Sequence, residues 1–319
     1  MPYSSLLERL RGGDIVLMDG PTGTELQRRG VSMDPAAWCG PATLGNDALL
    51  TQIHLDYIRS GSEVITANTF SASRLMLTHA GIADRSAEIA RRAVEAALRA
   101  RDAAPDPARI LVAGSLSHMV PVASGTAVVD PSKMPSERVI AEAFLELAEH
   151  LKRAGCDLII LEMMYNPKRL PVALQAALAT GLPVWFGMSA RANPAGEPIS
   201  FDQLEEIPLS RIAGLIPAKG VDVAGIMHTP APLIGAAERE LRRYFKGPLM
   251  AYPDSGYFEM PDWKFIDVIS ITTFEGYCLE WLQDGVQLLG GCCGLTPAHI
   301  EAAARARRAY LERRASVKS

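Results

Sequence analysis

The chain lacks several features that would place it in a specialised class of protein. Its longest apolar stretches, such as DLIILEMMY, are about strand length, far short of the roughly 18 residues of a membrane span. The segment MPYSSLLERLRGGD has no apolar core of the kind that a secretory signal carries. Basic charge is not in excess, since 32 Lys and Arg face 36 Asp and Glu. The net charge of −4 argues against nucleic acid or an anionic membrane as a partner.

Cysteine is also scarce. Five cysteines in 319 residues are a low and odd number, which argues against a disulfide framework. We therefore expect a cytoplasmic protein whose partners are small molecules, and no pattern in the sequence predicts its oligomeric state. Hydrophobic residues make up 48% of the chain, enough for a large buried core in one large domain or two small ones.

What the sequence does contain is an alternation of short apolar runs with amphipathic helical segments. The runs lie at residues 14–20, 63–70, 109–116, 156–164, 183–190, 221–229, 248–256 and 286–294. They are continuously apolar, as expected of parallel strands buried on both faces. Eight strand–helix units favour an α/β fold of the (β/α)8 TIM-barrel type, although the count alone leaves an open doubly wound sheet possible. No linker divides the chain, so we expect a single domain over residues 1–319.

Unusual polar residues fall at the carboxyl ends of these predicted strands, where TIM barrels build their active sites. They are Asp19, Asn68, His118, Glu162, His228, Asp254, Cys292 and Cys293. Because all eight would face the same end of a barrel, we take them together as the candidate site.

The adjacent thiols of Cys292 and Cys293 lie in a glycine-rich segment, QLLGGCCGLTP. Gly290, Gly291 and Gly294 would allow the sharp turn that lets two neighbouring sulfurs bind one soft divalent metal. Two buried structural thiols are an equally good interpretation of the spacing.

His228 ends the sixth predicted strand and would complete a set of three metal ligands. Two thiolates and one imidazole leave a fourth position open, as in catalytic zinc sites. A histidine in an apolar run is also often a hydrogen-bonded core residue. Likewise, Asp19 and Glu162 can cap helices or pair with arginine, or they can hold a substrate ammonium through charge-assisted hydrogen bonds. The residue pattern leaves these alternatives open.

Five segments resemble the homocysteine S-methyltransferase family, in the same order and over residues 14–305. They are DGPTGTEL, ITANTF, LEMM, YPDSG and GGCCGLTPAHI, of which the last is the most specific. The resemblance implies a TIM barrel with one zinc ion bound through three cysteines. It also implies methyl transfer from a donor such as S-methylmethionine, betaine or a methylated folate to homocysteine, which yields methionine.

Carried over by position, Cys292 and Cys293 match two of the zinc cysteines, Glu162 matches the carboxylate that holds the substrate amino group, and Asp19 matches an acidic residue near the first strand. The third cysteine of the family's GxNC pattern is replaced, because this chain reads GIMH with His228 in its place. The resemblance thus implies a zinc site of His228, Cys292 and Cys293.

Two further departures fall near the same site. The family's glycine–proline turn after strand three is replaced by GSLSHMVP, which contains His118, and YPNSG is replaced by YPDSG, which contains Asp254. Asn68, Trp38, His118 and Asp254 are candidates for substrate contacts, with Trp38 a possible wall for a cationic donor. His118 is equally well read as a surface-loop histidine, and Trp38 as a packing residue.

The departures leave three functions open. The first is a zinc-dependent methyltransferase acting on homocysteine or a similar thiol. The second is a methyltransferase of the same fold with another acceptor or donor. The third is a metal-free barrel that binds a small amino acid without turning it over.

Overall fold

The structure is a computed structural model that describes residues 2–123, 126, 128–259 and 264–318. Its strands are β1 Val16–Leu17, β2 Val64–Ala67, β3 Leu111–Ser117, β4 Leu158–Met164, β5 Val184–Met188, β6 Ala190–Ala192, β7 Pro198–Ser200, β8 Val223–Pro230, β9 Leu249–Asp254, β10 Tyr257–Glu259, β11 Lys264–Ile266 and β12 Leu288–Leu289. Its α-helices are α1 Tyr3–Arg11, α2 Thr22–Arg28, α3 Asp47–Arg59, α4 Arg74–Thr78, α5 Ser86–Asp102, α6 Glu137–Ala154, α7 Leu170–Ala179, α8 Leu209–Ala213, α9 Ile234–Leu241, α10 Ile271–Gln283 and α11 Pro297–Lys318.

Eight of these strands form one parallel sheet in the order β1-β12-β9-β8-β5-β4-β3-β2. The two ends of this order meet, because Met18 forms a parallel bridge with Val64. Main-chain hydrogen bonds support the closure: the Asp19 N–H donates to the Val64 carbonyl at 3.0 Å, and the Glu63 N–H to the Leu17 carbonyl at 2.8 Å. The predicted (β/α)8 barrel is therefore confirmed, and the open doubly wound sheet is not what the chain forms.

The strands are buried on both faces because alternate side chains point into the barrel and out towards the helices. Val112 packs outward in the layer beneath the helices, whereas Leu111 and Ala113 pack inward. Helix α1 closes the amino-terminal end of the barrel with Leu6 and Leu10, which belong to the inner cluster. None of the helices in the described part of the chain is long and apolar enough to cross a bilayer.

A buried carboxylate ties the two ends of the chain to the base of the barrel. Glu63, just before β2, lies 2.7 Å from Arg9 of α1, 3.0 Å from Arg109 and 3.0 Å from Arg307 of α11. The Glu63 side chain is only 7% exposed, so the arginines replace the water that it loses on folding. Burial alone would raise the pKa of Glu63, but hydrogen bonds and attraction from Arg9 and Arg109 outweigh it and lower that pKa.

Most helices follow the sequence pattern closely, and two segments differ from it. Helix α6 begins after Ser136, whose hydroxyl accepts from the Val139 N–H, and ends at Gly155 with a left-handed φ of 97°. The sequence pattern predicts a helix over about 209–219, but the observed helix α8 ends at Ala213. The last strand is regular only at Leu288–Leu289, because the glycines that follow turn the chain into the site.

Two antiparallel hairpins extend the carboxyl end of the barrel. The first pairs β6 with β7 directly after β5, and the second pairs β10 with β11 after β9. Neither hairpin is apparent in the apolar pattern of the sequence. Phe201 directly follows the first hairpin and reaches the candidate site.

Candidate metal centre and active-site cavity

Four side chains from three barrel strands converge at the carboxyl end of the barrel. His228 comes from β8, Asp254 from β9, and Cys292 and Cys293 from the loop after β12. One ligand atom from each residue lies within 4.8 Å of all the others. In the described part of the chain, this is the group of His, Cys, Asp and Glu residues suited to hold a metal ion.

The spacing of the donor atoms fits a tetrahedral metal. The Cys292 and Cys293 sulfurs lie 3.9 Å apart, and the Cys292 sulfur lies 3.7 Å from His228 Nδ1. Zinc bonds of about 2.3 Å to sulfur and about 2.0 Å to nitrogen imply separations of about 3.8 and 3.5 Å in a tetrahedron. The two sulfurs and the imidazole nitrogen are therefore spaced as a zinc ion requires.

Asp254 stands beside this set as a hydrogen-bond partner. Its Oδ2 lies 2.9 Å from His228 Nδ1, and its Oδ1 accepts from the Cys293 N–H at 3.0 Å. One carboxylate thus orients both the histidine and the cysteine loop. Because the same Nδ1 faces both Asp254 and the Cys292 sulfur, a metal bound through Nδ1 would replace this hydrogen bond, and the Asp254 carboxylate would then lie beside the metal.

An irregularity in β8 directs His228 into the cluster. The register with β9 shifts between Met227 and Pro230, and His228 has a φ of +46°. A non-glycine residue in this left-handed region is strained, and such strain is frequent at functional sites. The preceding backbone is held by Glu238 of α9, whose buried carboxyl accepts from the Ile226 N–H at 3.1 Å.

Burial and close contacts within the cluster shift the pKa values of His228 and Cys292. Burial alone would lower the pKa of His228, but the facing carboxylate of Asp254 and the Cys292 sulfur raise it well above its usual range. The pKa of Cys292 is also well above its usual range, because of its contact with Cys293 and because of burial. A divalent cation reverses this preference, since it favours a deprotonated thiol and a neutral imidazole.

A cavity of about 110 Å³, which we call the metal cavity, opens onto this cluster. Of the residues predicted from the sequence, six line it: Trp38, Asn68, Glu162, His228, Cys292 and Cys293. Tyr252, Phe70 and Phe201 add aromatic surface to the wall. The cavity therefore pairs a candidate metal site with a mostly apolar chamber for a small molecule.

Glu162 is the carboxylate that borders the metal cavity. It lies near the carboxyl end of β4 and accepts a hydrogen bond from the Ser115 hydroxyl of the neighbouring strand. Burial raises its pKa, which the Ser115 hydrogen bond opposes. An ammonium group in the cavity would stabilise the ionised form through a charge-assisted hydrogen bond.

Comparisons with known proteins identify the family of the chain. The sequence model of the family described as "Homocysteine S-methyltransferase" matches residues 16–307. The chain belongs to the homocysteine S-methyltransferase family. Its members transfer methyl groups, so the chain is a methyltransferase.

The relatives align with nearly the whole of this chain and over nearly their whole own length. Homocysteine S-methyltransferase of Escherichia coli (strain K12) is 29% identical, with 94% of this chain and 97% of that protein covered. Selenocysteine Se-methyltransferase of Brassica oleracea var. italica is 26% identical, with 94% and 91% covered. The solved metallated form of the E. coli homocysteine methyltransferase MmuM superposes with a TM-score of 0.73 at 26% identity, covering 96% of this chain and 100% of that one.

Asp19 does not line the metal cavity. It is fully buried, and its carboxylate accepts from the Thr66 N–H at 2.6 Å and from the Tyr252 hydroxyl at 3.0 Å. Burial is the main cause that raises its pKa to about 7. The structure thus places Asp19 behind Tyr252, where it fixes that ring, and its direct contact with substrate stays a prediction.

Asn68, which follows β2, and Trp38, which lies in the loop after α2, form one side of the metal cavity. The Asn68 side chain donates to the Cys39 carbonyl and the Thr43 hydroxyl, each at 3.1 Å, and accepts from the Thr22 hydroxyl at 2.9 Å. Trp38 has a φ of +50°, and its ring meets Phe70 edge-on at 6.0 Å. Asn68 therefore holds the loop that presents Trp38 to the cavity.

His118 lies outside the wall of the metal cavity. It is fully buried, and its Nε2 accepts from the N–H groups of Tyr165 at 3.2 Å and Asn166 at 3.0 Å. Burial, together with repulsion from Arg169, holds its pKa well below its usual range. The ring is thus a neutral acceptor that shapes the turn after β4, and nothing in its surroundings exposes it to a substrate.

Two side chains of the cavity wall were not among the residues singled out by sequence. The Phe201 ring packs against His228 with centroids 5.0 Å apart, but it follows a hairpin that the apolar pattern does not indicate. Met163 has a φ of +63° where the register of β4 shifts. This turn of the backbone brings it to the cavity wall, a result that no sequence pattern could indicate.

Proposed function

We propose that this chain is a zinc-dependent S-methyltransferase that transfers a methyl group from a sulfonium or ammonium donor to homocysteine, forming methionine. The observation that carries the proposal is the convergence of His228, Cys292 and Cys293 with near-tetrahedral spacing at the wall of the metal cavity. The acceptor follows the names of the relatives. The metal follows the donor set and the metallated form of the E. coli neighbour.

When bound, the zinc ion supplies a positive charge that keeps the acceptor sulfur as a thiolate at neutral pH. The residues of the chain hold the reactants. Glu162 accepts hydrogen bonds from the acceptor's ammonium group, and the aromatic wall excludes water. Asp254 holds the backbone of Cys293 in place by accepting from its N–H, and its other oxygen faces His228.

The transfer itself needs no proton donor from the protein. A lone pair of the acceptor sulfur forms the new S–C bond as the bond between the methyl carbon and the donor cation breaks. The electron pair of that bond stays on the donor, which leaves as a neutral thioether or amine. The protein therefore contributes chiefly position and the exclusion of water.

The first test is zinc per chain by elemental mass spectrometry, with labelled methionine formed from a labelled donor. We expect about one zinc in the native protein, and loss of zinc and activity in Cys292→Ser and His228→Ala. Cys278→Ser is the matched control, because Cys278 is a free buried thiol in α10 outside the cluster. A native protein without zinc after growth with added zinc, or methionine formed equally well by all variants, would refute the proposal.

A second acceptor is favoured by one observation, the similarity to a selenocysteine Se-methyltransferase. Selenols ionise more readily than thiols, so a site with one thiolate fewer could serve such an acceptor. Turnover of selenocysteine and homocysteine in direct competition separates the two candidates. Preference for the selenol would move the assignment to the second acceptor.

We further propose that the chain acts as one domain in a reducing compartment, as in the cytoplasm. All five cysteines are free, and Cys292 and Cys293 must stay reduced to bind a metal. Limited proteolysis that leaves one resistant fragment spanning residues 16–307 would support the single domain.

A further inference from the structure

A second and larger cavity, which we call the outer cavity, lies beside the metal cavity. Its volume is about 340 Å³, within the range of small-molecule sites in proteins. Met119, Met163 and Phe201 line both spaces and divide one from the other. A molecule in the outer cavity is therefore held away from the metal cluster, and it occupies a separate site.

The outer cavity is bordered by a nearly buried arginine without a carboxylate partner. Arg169 directly precedes α7 and is only 8% exposed. Its Nε donates to the His118 carbonyl at 3.2 Å, and its Nη2 donates to the Tyr165 hydroxyl at 3.3 Å. Among the described residues, no carboxylate oxygen lies within 4.0 Å of its guanidinium. Both partners are neutral, so the described part of the protein leaves this charge uncompensated.

One edge of the Arg169 guanidinium is open to a ligand. Its Nη1 donates to no atom of the described residues, and it is not sealed from solvent. A buried charge without a counterion is unfavourable, and an anion that accepts from Nη1 would remove this penalty. Because Arg169 lines the outer cavity, an anion in that space can approach this edge. The planar N–H groups of arginine are suited to a carboxylate.

The acids of the same wall are not the missing counterion. Asp202, which is buried, accepts from the Asn166 side chain at 2.9 Å through Oδ2 and from the Leu204 N–H at 3.0 Å through Oδ1. Glu137 and Glu205 are exposed, and neither approaches Arg169 within 4.0 Å. Their negative charges disfavour a ligand with more than one negative charge, such as a phosphate dianion. The wall is thus matched to a monoanion.

Most of the remaining wall is apolar. Its apolar side chains come from the segment before α6, from α6 and α7, and from the segment after β7; they include Val129, Met134, Ile140, Val172 and Leu204. The volume of the cavity equals that of about eleven water molecules at about 30 Å³ each, which is room for roughly ten to twelve non-hydrogen atoms. An alkyl or aryl group of this size would be stabilised there by leaving water.

We propose that the outer cavity binds a small apolar monocarboxylate, with its carboxylate on Arg169 and its alkyl or aryl group against the apolar wall. The ligand is not a reactant, because Met119, Met163 and Phe201 separate it from the metal cluster. The inference goes beyond the proposed function and does not depend on it. An enzyme that transfers methyl groups can lack this site, and a protein without zinc can still possess it.

The test is calorimetric titration of the zinc-loaded protein with two probes, 4-phenylbutyrate and octanoate. Titration with 4-phenylbutyramide, which has nearly the same shape as 4-phenylbutyrate and no charge, measures the contribution of the carboxylate. We expect about one acid per chain, and binding of the amide weaker by about ten-fold or more. Equal binding of 4-phenylbutyrate and its amide, or a native protein that binds neither acid, would overturn the assignment.

Replacement of Arg169 locates the carboxylate. Arg169→Met should weaken binding of both acids by about ten-fold or more, because it removes a hydrogen bond between two charged groups, and it should leave binding of the amide within about two-fold. Arg169→Lys keeps the charge and should recover part of the loss. Lys168→Ala is the matched control, since Lys168 is an exposed cation of the same wall. An equal loss of acid binding in Lys168→Ala and Arg169→Met would refute the buried site.

A carboxylate can also bind directly to zinc, and two measurements separate that case. Cys292→Ser and a saturating concentration of homocysteine should each leave the Kd of 4-phenylbutyrate within about two-fold, because the two cavities are separate. Displacement of the acid by homocysteine, or binding that is lost in Cys292→Ser and kept in Arg169→Met, would place the acid in the metal cavity and overturn the proposal.

Val172→Trp decides the matter if Arg169→Met does not fold. Val172 lines the outer cavity but not the metal cavity, so a larger side chain there should take up the space of the alkyl or aryl group. We expect the Kd of both acids to rise by about ten-fold or more. An unchanged Kd in a folded Val172→Trp variant would refute the site.

Discussion

The contact between His228 and Asp254 predicts that these two residues are coupled in metal binding. The family pattern places cysteine and asparagine at these positions, whereas here His228 Nδ1 lies 2.9 Å from Asp254 Oδ2. The perturbation is a double-mutant cycle of His228→Cys, Asp254→Asn and the double variant. We expect His228→Cys alone to weaken zinc binding, because it brings a third thiolate towards a carboxylate that has lost its histidine.

The magnitude follows from the distance between the charges. Two like unit charges about 4 Å apart repel by about 4 kcal/mol at an effective dielectric constant of about 20. The metal charge and the hydrogen bond from the Cys293 N–H to Asp254 offset part of this repulsion. We therefore expect a coupling of about 1.5 to 3 kcal/mol, or about 10- to 150-fold in the zinc Kd. The double variant should recover most of the affinity that His228→Cys loses.

Competition with a chromogenic zinc chelator at neutral pH measures the four Kd values, and thermal unfolding of the metal-free proteins controls for damage to the fold. Effects that add within about 0.5 kcal/mol would show that the two positions are independent. Tighter zinc binding by His228→Cys with Asp254 in place would contradict the electrostatic reasoning outright.

Three further predictions concern the support of the site and the barrel. Glu238→Ala should lower the free energy of unfolding by about 1 to 3 kcal/mol and weaken zinc binding, because it leaves the buried Ile226 N–H without its acceptor. Glu238→Gln should retain the stability and the zinc affinity. Denaturant titration and zinc competition check this, and equal losses in the two variants would contradict it. Because the pKa of Glu63 is lowered on folding, this carboxylate stabilises the folded protein above its unfolded pKa of about 4.5, and the stabilisation is lost as the pH falls through its folded pKa. The free energy of unfolding should therefore drop more steeply in acid for the native protein than for Glu63→Gln. Parallel plots of this free energy against pH would rule this out. Gly225→Ala should destabilise by about 3 kcal/mol or more, because its Cβ would lie 2.0 Å from the Met250 carbonyl oxygen. The same change at the exposed helical Gly276, where an added Cβ meets no atom within 4 Å outside its own helix, should stabilise by about 0.5 to 1 kcal/mol. A similar Tm for both variants would refute this.

The barrel could be predicted from the sequence because its strands have a simple signature. Parallel strands covered on both faces are continuously apolar, and Leu158–Met164 and Val184–Met188 are regular strands at the predicted places. The carboxyl ends of such strands meet at one end of a barrel, so the pattern alone brought His228, Cys292 and Cys293 together. Strand position is set by burial, which sequence records directly.

Side-chain direction could not be predicted in the same way. His228 and Met163 reach the cavity through positive φ values at irregularities of β8 and β4. The residue types at those positions do not indicate these backbone irregularities. Asp19 ends a strand as predicted, but tertiary contacts with Thr66 and Tyr252 take up its carboxylate. A residue type at a strand end therefore predicts proximity to the site and not the partner it finds there.

The charge of the metal centre illustrates why the partner matters. Replacement of one of three zinc thiolates by a neutral imidazole would raise the net charge of the centre from −1 to zero if nothing else changed. Asp254 lies against that imidazole, so its negative charge enters the same centre and restores the total to −1. The charge of the wild-type site is then similar to that of a three-cysteine site, although one negative charge has moved from a ligand to a carboxylate beside the ligands. A thiol bound there would experience nearly the same net field, which is why two departures from the family pattern are compatible with the family's chemistry.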